Sequence, residues 1–361
     1  MASASKFFFA VRPPTVLSMP GFGVDISGGS VKCIELDGAA NTRTLKTHVE
    51  MAIDSGVIVD GDIEIPEKLI DVLRTVRLKH GVKNVHASLP EKKAFIYQTL
   101  VPTGRTPQDA IAFDLEAHVP LPPEEIAYDF DFVREEKEGR IYTVTAFARR
   151  VTEAYERAVI RAGMFLKSLE VESQSLARAV VSQSDRARTM LIVEVGKRTT
   201  RICITDRGTV SYTATADLGG DMLTDALMRH FSINADEAET IKNEQGFLVG
   251  STNTEVVEAM ANVVSVMKDE IASHLSYWNS PTSDDLPRLP IDGIIVSGGN
   301  ANMAGFAPYL ERVFKVPVTV ANVWTNAFDL DMYIPDMPRR ESLEYGTAVG
   351  LALKGSDTSL W

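Results

Sequence analysis

Hydrophobic residues recur along this chain with two different periods, and the clearest helical period lies in residues 66–80. There, apolar side chains return every three or four positions and place Leu69, Leu73 and Val76 on one face of a helix. A proline opens the segment and Gly81 follows its basic end, as is typical of a helix start and stop. The pattern therefore predicts a helix over this segment.

Shorter apolar runs alternate with further helical segments through the rest of the chain. Predicted strands cover residues 22–26, 31–36, 43–50, 84–89, 94–100, 127–134, 141–148, 165–171, 209–214 and 292–297, and a two-stranded hairpin covers 191–205. Further helices are predicted at 106–118, 152–162, 174–184, 221–231, 235–243, 254–278, 303–314 and 343–354. The last helix is rich in small residues, which suits close packing. This alternation indicates an α/β fold.

Two hairpins far apart in the chain, residues 22–36 and 191–205, repeat one design. Each carries a carboxylate, Asp25 or Glu194, near the end of its first apolar strand, and a turn of small residues follows. Such a turn lets backbone N–H groups converge on a phosphate, because glycine lacks the Cβ that would block the approach. A carboxylate at this point is well placed to hold a phosphate-bound Mg²⁺, directly or through water. Asp25 and Glu194 are therefore the predicted metal-binding residues.

A single hairpin of this kind is weak support for a phosphate site, since its acid could simply accept hydrogen bonds from the turn. The second copy favours phosphate binding, and helices follow both hairpins, so the duplication predicts two similar lobes with a cleft between them. The predicted phosphate-binding residues of the first half are Ser27, Gly28, Gly29, Ser30 and Lys32. Those of the second half are Gly196, Thr199, Thr200, Gly219 and Gly220.

A third segment runs from an apolar strand through Ser297, Gly298, Gly299 and Asn300 into a helix. A turn of this type lets the backbone approach a flat ring or a ribose closely, and the helix N-terminus favours anions. An ordinary strand-to-helix turn is the alternative interpretation.

Three acidic or basic side chains complete the candidate site. Glu239 and Lys242 are three positions apart and share one helix face, so they could bond a nucleoside together or form a surface ion pair. Glu172 lies between a predicted strand and helix where the two lobes should join. Glu172 is a candidate catalytic residue that positions an attacking water. Glu194 is a second candidate, which would act through a bound metal. Alternatively, Glu172 is an acid at a helix start that the helix dipole favours.

Composition excludes several classes of function. The 361 residues include 37 Lys and Arg and 49 Asp and Glu, which gives a formal net charge of −12, so we expect no nucleic-acid partner.

Cys33 and Cys203 lie in apolar strands and are predicted to be buried, reduced thiols. The six histidines show no metal-ligand spacing, and no run reaches the roughly 18 uncharged apolar residues that span a bilayer. Residues 1–20 are predicted to form a leader, either disordered or in contact with a membrane or partner.

Taken in order, these motifs resemble those of the actin-like ATPase superfamily, which includes actin, the Hsp70 nucleotide-binding domain, sugar kinases and the division protein FtsA. The resemblance implies a two-lobed fold of duplicated ribonuclease H-like domains that binds ATP and Mg²⁺ between the lobes. It also implies that the hairpins are the two phosphate loops and that residues 297–300 form the adenosine motif. Glu172 then falls on the first connecting motif, and Glu239 with Lys242 matches a pair that contacts the nucleoside.

Within the superfamily, several stretches are similar to the PilM family of type IV pilus assembly. They are residues 24–32, 111–122, 218–220, 235–239, 270–277 and 345–353. This resemblance implies that 21–84, 152–188 and 342–361 form subdomain 1A and that 189–341 form subdomains 2A and 2B. It places an inserted subdomain 1C, of the type found in FtsA, at 85–151.

The same resemblance implies a cytoplasmic adaptor recruited to the inner face of the cytoplasmic membrane, in type IV pilus assembly or a related type II secretion system. Its implied partners are the N-terminal tail of a PilN-like inner-membrane protein, other components of the pilus assembly platform, and further copies of itself. The candidate docking region between 1A and 1C is the edge around Leu89, Pro90, Phe95 and Tyr97 with the core near Val119 and Leu121.

One departure bears on catalysis. The superfamily usually has Asp where this chain has Glu194, and the extra methylene moves the carboxylate by about a bond length. We therefore expect ATP binding with slow or no hydrolysis. The alternative function is an FtsA-like division filament, but that class carries a C-terminal amphipathic membrane helix, which residues 354–361 do not resemble. A phosphotransferase is disfavoured because no Asp stands out as its general base.

Overall fold

The computed structural model describes residues 21–38, 42–248, 254–280 and 288–356, so the predicted leader at 1–20 lies outside the described residues. The strands are β1 (Phe22–Ile26), β2 (Ser30–Asp37), β3 (Thr44–Ala52), β4 (Ile58–Val59), β5 (Asp62–Ile63), β6 (Asn84–Leu89), β7 (Ala94–Pro102), β8 (Ile126–Glu136), β9 (Gly139–Ala148), β10 (Phe165–Val171), β11 (Thr189–Val195), β12 (Thr200–Asp206), β13 (Thr209–Ala216), β14 (Gly293–Ser297) and β15 (Val318–Val320).

The helices are α1 (Pro66–His80), α2 (Pro107–His118), α3 (Arg149–Arg161), α4 (Glu172–Val180), α5 (Gly220–Phe231), α6 (Ala235–Glu244), α7 (Thr254–Asn279), α8 (Phe306–Phe314), α9 (Arg339–Ser342) and α10 (Gly346–Ser356). Single 3-10 turns lie at Glu91–Lys93, Pro123–Glu125, Gly299–Asn302 and Leu343–Tyr345. The predicted strands and helices are confirmed with shifted ends, whereas the short elements β4, β5, β15 and α9 were not predicted. Among the shifted ends, α8 begins three residues later than predicted because Gly305, with φ of 77°, breaks the helical path.

Two five-stranded sheets form the centre of the molecule, and they have the same topology. Their strand orders are β3-β2-β1-β6-β10 and β13-β12-β11-β14-β15. In each sheet the first three strands are antiparallel, and the last two run parallel to the central one. The internal duplication predicted from the two hairpins is therefore confirmed. Below, the first half is the part built on the first sheet, and the second half is the part built on the second.

Strand register places a basic residue directly opposite the acid of each hairpin. Asp25 on β1 pairs with Lys32 on β2, and Glu194 on β11 pairs with Arg201 on β12. Directly opposite residues in an antiparallel pair have Cβ atoms about 5 Å apart, close enough for charges to interact. Both hairpins thus carry an acid–base pair next to the turn.

A third sheet, with strand order β7-β9-β8, lies between β6 and β10 in the sequence. The insertion was predicted to open with the strand at 84–89, but this strand, β6, pairs with β1 and β10 in the first sheet, so the third sheet begins only at Ala94. Helix α2 covers one face of the third sheet with Ile111 and Leu115. The third sheet also contacts the second half through a buried ion pair of Arg134 with Asp206.

Helix α10 packs against β1 and α4 at very short distances. A Cβ on Gly23 of β1 would lie 1.9 Å from the carbonyl oxygen of Ala348, and one on Gly350 would lie 1.7 Å from that of Ser175 on α4. Real Cβ atoms essentially never come this close to backbone, so glycine is required at both positions. The prediction that small residues give this helix close packing is confirmed.

Two further expectations concern cysteines and membranes. Cys33 and Cys203 are buried and free, as predicted. No helix in the described part of the chain combines the length and apolar composition of a membrane span.

A buried ion network joins α4 and α10 to β10. Glu170 accepts hydrogen bonds from Arg178 at 2.5 Å and from Lys354 at 3.1 Å, and the Ser175 hydroxyl donates to it at 2.8 Å. Burial opposes ionisation of Glu170, but the charge and hydrogen bonds of Arg178 outweigh it and lower the pKa to about 2. The network therefore depends on an ionised carboxylate.

We expect Glu170 to contribute to the pH dependence of stability. Because its folded pKa of about 2 lies below the ordinary value of 4.5, its contribution is complete above pH 4.5 and is lost as pH falls towards 2. The shift corresponds to about 3 kcal/mol of unfolding free energy. Urea unfolding of wild type and Glu170→Gln from pH 7 to pH 3 measures it. The difference between them should shrink as pH falls, whereas the exposed control Glu64→Gln should follow wild type; a constant difference would contradict this role.

Candidate functional site

The turn of the first hairpin is open on its outer side. Ser27 closes it, with its N–H donating to the Ser30 carbonyl at 3.0 Å. Gly28 and Gly29 are exposed, and a Cβ on Gly29 would meet nothing within 4 Å. Neither glycine has a positive φ, so the fold itself does not require glycine here. The small side chains leave space in front of the turn, as a phosphate-binding turn needs.

The turn of the second hairpin is instead packed against the protein. The N–H of Gly220 donates to the Gly196 carbonyl at 3.0 Å, and the Thr200 hydroxyl donates to the Leu218 carbonyl at 2.6 Å. Asn300, from the predicted adenosine segment, donates from Nδ2 to the Gly196 carbonyl at 2.9 Å. Thr199 lies in the same turn. Three predicted site segments of the second half, around residues 196–200, 219–220 and 298–300, thus meet in one place.

The Gly298-Gly299 turn itself requires glycine. Gly298 has φ of 83°, and a Cβ there would lie 2.5 Å from the carbonyl oxygen of Val195. The hydroxyl of Ser297, just before it, is buried without a hydrogen-bond partner. The turn therefore lies tightly against the end of β11.

A cavity of about 340 Å³ adjoins this turn. It is lined by Asp236, Glu239, Thr240, Asn243, Glu244 and Arg340. The carbonyl of Arg340 accepts a hydrogen bond from Asn302, which follows the Gly298-Gly299 turn, so the cavity and the turn are joined. Its volume is within the usual range of small-ligand sites.

Lys242 lies behind the cavity and is 2% exposed. Its ammonium donates to Glu239 at 2.7 Å and to the Thr224 hydroxyl at 3.0 Å. The alternative interpretation of Glu239 and Lys242 as a surface ion pair is therefore wrong for Lys242, although Glu239 remains half exposed in the cavity wall.

Lys32 connects the first hairpin to the Gly298-Gly299 turn. Its ammonium lies 3.2 Å from Glu50 and 3.6 Å from Glu344. A Cβ on Gly299 would lie 3.0 Å from the Glu344 carboxylate. Burial disfavours the charged form of Lys32, but Glu50, Asp25 and Glu344 together raise its pKa. Glu344 thus joins the two halves at this side of the site.

On the other side, Arg201 lies among acids from both halves. Its Nη2 is 2.7 Å from Glu172 Oε2, its Nη1 donates to Glu194, and its Nε is 3.9 Å from Glu91 Oε2. Glu172 and Glu91 come from the first half, and Glu194 comes from the second. The structure therefore brings Glu172 and Glu194, the two predicted catalytic acids, onto one guanidinium.

Hydrogen bonds hold the acids of this cluster in place. The Glu91 N–H donates to Glu172 at 3.0 Å, and the N–H and hydroxyl of Ser173 each donate to Glu91 at 3.0 Å. Asp25 is close enough to feel the charge of Arg201, but its Oδ1 is buried without a hydrogen-bond partner. Burial raises the pKa values of Asp25 and Glu172, and the positive charges of Lys32 and Arg201, respectively, oppose the shift most strongly.

The residues in this arrangement do not fit a magnesium ion. Mg²⁺ requires oxygen ligands in octahedral geometry, usually with one or two carboxylates. Glu194 and Glu172 are already bonded to Arg201, whose positive charge repels a divalent cation, and Asp25 has one buried oxygen atom without a hydrogen-bond partner. Among the residues that the structure describes, no group of three or more His, Cys, Asp or Glu side chains is arranged to hold a metal.

Sequence reasoning missed Arg201, Glu91 and Glu344. The signal for Arg201 was present, because in each hairpin the base follows the acid by seven positions, as in Asp25 and Lys32. Glu91 and Glu344 carried no comparable signal, since their partners are distant in sequence.

The two turns should respond differently to an added methyl group. A Cβ on Gly220 would lie 2.2 Å from the Asn300 side chain, whereas one on Gly29 would lie in open space. We expect Gly220→Ala to lower the free energy of unfolding by about 1–3 kcal/mol through overpacking. Gly29→Ala should stay within about 0.5 kcal/mol of wild type. Urea unfolding compares them, and equal losses would show that the turns are packed alike.

Comparison with known proteins gives the family. A model described as type IV pilus assembly protein PilM matches residues 23–356. FtsA of Pseudomonas aeruginosa is 24% identical over 237 residues, which cover 60% of this chain and 54% of that protein. The chain spans about half the length of the first curated relatives that it matches.

Solved structures give the fold. A PilM-PilN type IV pilus biogenesis complex is 20% identical, with a TM-score of 0.74 over 94% of this chain and 99% of that chain. MreB 5 of Spiroplasma citri bound to AMPPNP is 16% identical, with a TM-score of 0.55 over 94% of this chain and 96% of that chain. The predicted actin-like ATPase fold is therefore confirmed, and the chain belongs to the family of the type IV pilus assembly protein PilM.

Proposed function

We propose that this chain is a cytoplasmic adaptor of type IV pilus assembly that binds ATP between its two halves. The open turn at Gly28 and Gly29 would take the phosphates through its backbone N–H groups. The cavity beside α6, with Glu239 in its wall, would take the nucleoside. The observation that carries the proposal is the path of contacts from this cavity through the Gly298-Gly299 turn and Glu344 to Lys32 of the first hairpin.

We propose further that the bound nucleotide is hydrolysed slowly or not at all. A residue that orients an attacking water needs a free carboxylate oxygen directed at that water. In Glu172 one of the two oxygens, Oε2, is occupied by the Glu91 N–H and by Arg201, and the positive charge of Arg201 also makes the carboxylate a weaker base. Glu194, the second candidate, is held by the same guanidinium. Nucleotide would then act by stabilising one arrangement of the halves rather than through turnover.

A negative charge in the first turn should weaken ATP binding without harming the fold. In Gly29→Asp the added side chain enters open space, where a phosphate would approach, and repels it. We expect the affinity for a fluorescent ATP analogue to fall at least about tenfold. Thr103→Asp, which adds the same charge to an exposed turn of the third sheet, is the matched control and should bind like wild type. Equal affinities of both variants would remove the first turn from the site.

The partner in this proposal is the N-terminal tail of a PilN-like inner-membrane protein, docked on the third sheet. Val119, named as core beside the groove, is 1% exposed, and Leu89, named as part of its edge, is only 4% exposed, so Leu89 is not available to a partner. Tyr128 and Phe132 of β8, which alternate with Ile126 and Phe130 on one face of the strand, are 39% and 48% exposed. Large exposed aromatic side chains of this kind are typical binding anchors.

The charge around this aromatic strip supports a basic partner. Exposed acids lie near it along the chain: Glu124, Glu125, Glu135 and Glu138. Cytoplasmic segments next to a membrane-spanning helix are rich in Lys and Arg. Within the described part of the chain, β8 pairs with β9 alone, so its outer edge can also accept an extended peptide as an added strand.

Removal of the aromatic anchors should weaken peptide binding. For the double variant Tyr128→Ser/Phe132→Ser, we expect the affinity for a synthetic N-terminal tail of the PilN-like protein to fall at least about tenfold. Met332→Ser removes an equally apolar side chain, 85% exposed, from the second half and should leave affinity unchanged. Calorimetric titration measures both, and binding that survives in the double variant would place the tail elsewhere.

A further inference from the structure

The guanidinium of Arg201 is bonded to Glu194 of its own hairpin, one of the two predicted metal-binding acids, and its charge reaches the other, Asp25. The guanidinium also lies 2.7 Å from Glu172 of the other half. The Arg201 side chain is 15% exposed, and that of Glu172 is 10% exposed. A charged group held at this depth is stable only with partners of opposite charge, and Arg201 and its acids provide this for one another.

Lys32 does not have the same role, although it occupies the matching position in the first hairpin. Its ammonium turns towards Glu50 and Glu344 and leaves Asp25 with an unpartnered oxygen. Arg201 reaches across to acids of the other half because its side chain is longer and its guanidinium has several N–H donors in a fixed plane. The two matching bases thus serve different groups of acids.

Arg201 reduces the negative charge of this cluster, because its guanidinium stays ionised and is bonded to Glu194 and Glu172. A bound divalent cation would provide the same reduction in an acidic nucleotide site.

We infer that Arg201 takes the place of the divalent cation, so that the acid cluster binds no divalent metal and the chain binds its nucleotide without one. The absence of a divalent metal from the acid cluster follows from the contacts of the cluster alone. Metal-independent nucleotide binding rests on the proposed function.

The first experiment uses the nucleotide-free, full-length protein and Mn²⁺ as the probe, with free Mn²⁺ measured by electron paramagnetic resonance. Wild type should bind no stoichiometric Mn²⁺. Arg201→Gln, which leaves the acids without their cation, should gain a site at least about tenfold tighter than any in wild type. The control Arg140→Gln removes an exposed arginine paired with Glu135 on the third sheet and should behave like wild type. One tightly bound Mn²⁺ per wild-type chain would overturn the inference.

Loss of Arg201 leaves buried acids uncompensated, and the variant could fail to fold. If Arg201→Gln does not fold, the double variant Arg201→Gln/Glu172→Gln is used in its place, because it removes one charge of each sign. We expect the double variant to gain the same Mn²⁺ site. Circular dichroism checks the fold of each variant. A folded variant without Arg201 that gains no Mn²⁺ site would count against the inference.

The second experiment titrates wild type with a fluorescent ATP analogue in excess EDTA and in excess Mg²⁺. The two dissociation constants should agree within about twofold. A loss of about tenfold or more in EDTA would overturn metal-independent binding. Absence of binding in both media would instead remove the proposed nucleotide function, while the Mn²⁺ titration would still decide what the acid cluster holds.

Discussion

The close backbone contact of helix α10 with β1 and α4 is the constraint on which the rest of the first half depends. It requires glycine at positions 23 and 350, because any Cβ there would overlap a backbone carbonyl. The contact fixes β1 two residues before Asp25, and it fixes α4 at Ser175, one turn after Glu172. The Glu170 network joins α4 and α10, two of these three elements, to β10 through charges. Asp25 and Glu172 are thereby positioned by the packing around α10.

Charge determines how the two halves meet. Each hairpin has an acid opposite a base. The bases, Lys32 and Arg201, differ in side-chain length and in the number of their N–H donors, so they bond different acids. Arg201 bonds acids on both sides of the cleft, whereas Lys32 reaches Glu344 beside the Gly298-Gly299 turn. The two turns differ as well, one open and the other packed against Asn300. A duplicated fold has therefore produced two unlike ends of one site.

The local parts of this architecture could be predicted from the sequence. Helix α1, the two hairpins and the small-residue helix α10 are encoded by short patterns of apolar, glycine and capping residues. The repeated hairpin also predicted the duplicated sheets. The membership of β6 in the first sheet could not be predicted, because it depends on pairing with β1, about 60 residues earlier in the chain.

The pairing of charged side chains could not be predicted from the sequence either. Glu172 and Arg201 are separated by a helix and a complete strand, and nothing in either local sequence indicates their contact. Lys242 looked like a surface residue because its helix is polar, but Thr224 and Glu239 satisfy its charge in the interior. In each case the deciding interaction joins residues that are distant in sequence, which a local pattern does not record.

The buried pair of Arg134 and Asp206 has a mechanical consequence. The third sheet is continuous in sequence with the first half, yet this pair and the hydrogen bond from Gln98 to Ser211, at 2.8 Å, also attach it to the second half. A rotation of one half relative to the other must therefore either strain these attachments or move the aromatic strip on β8. The position of the third sheet is thus coupled to any relative movement of the two halves.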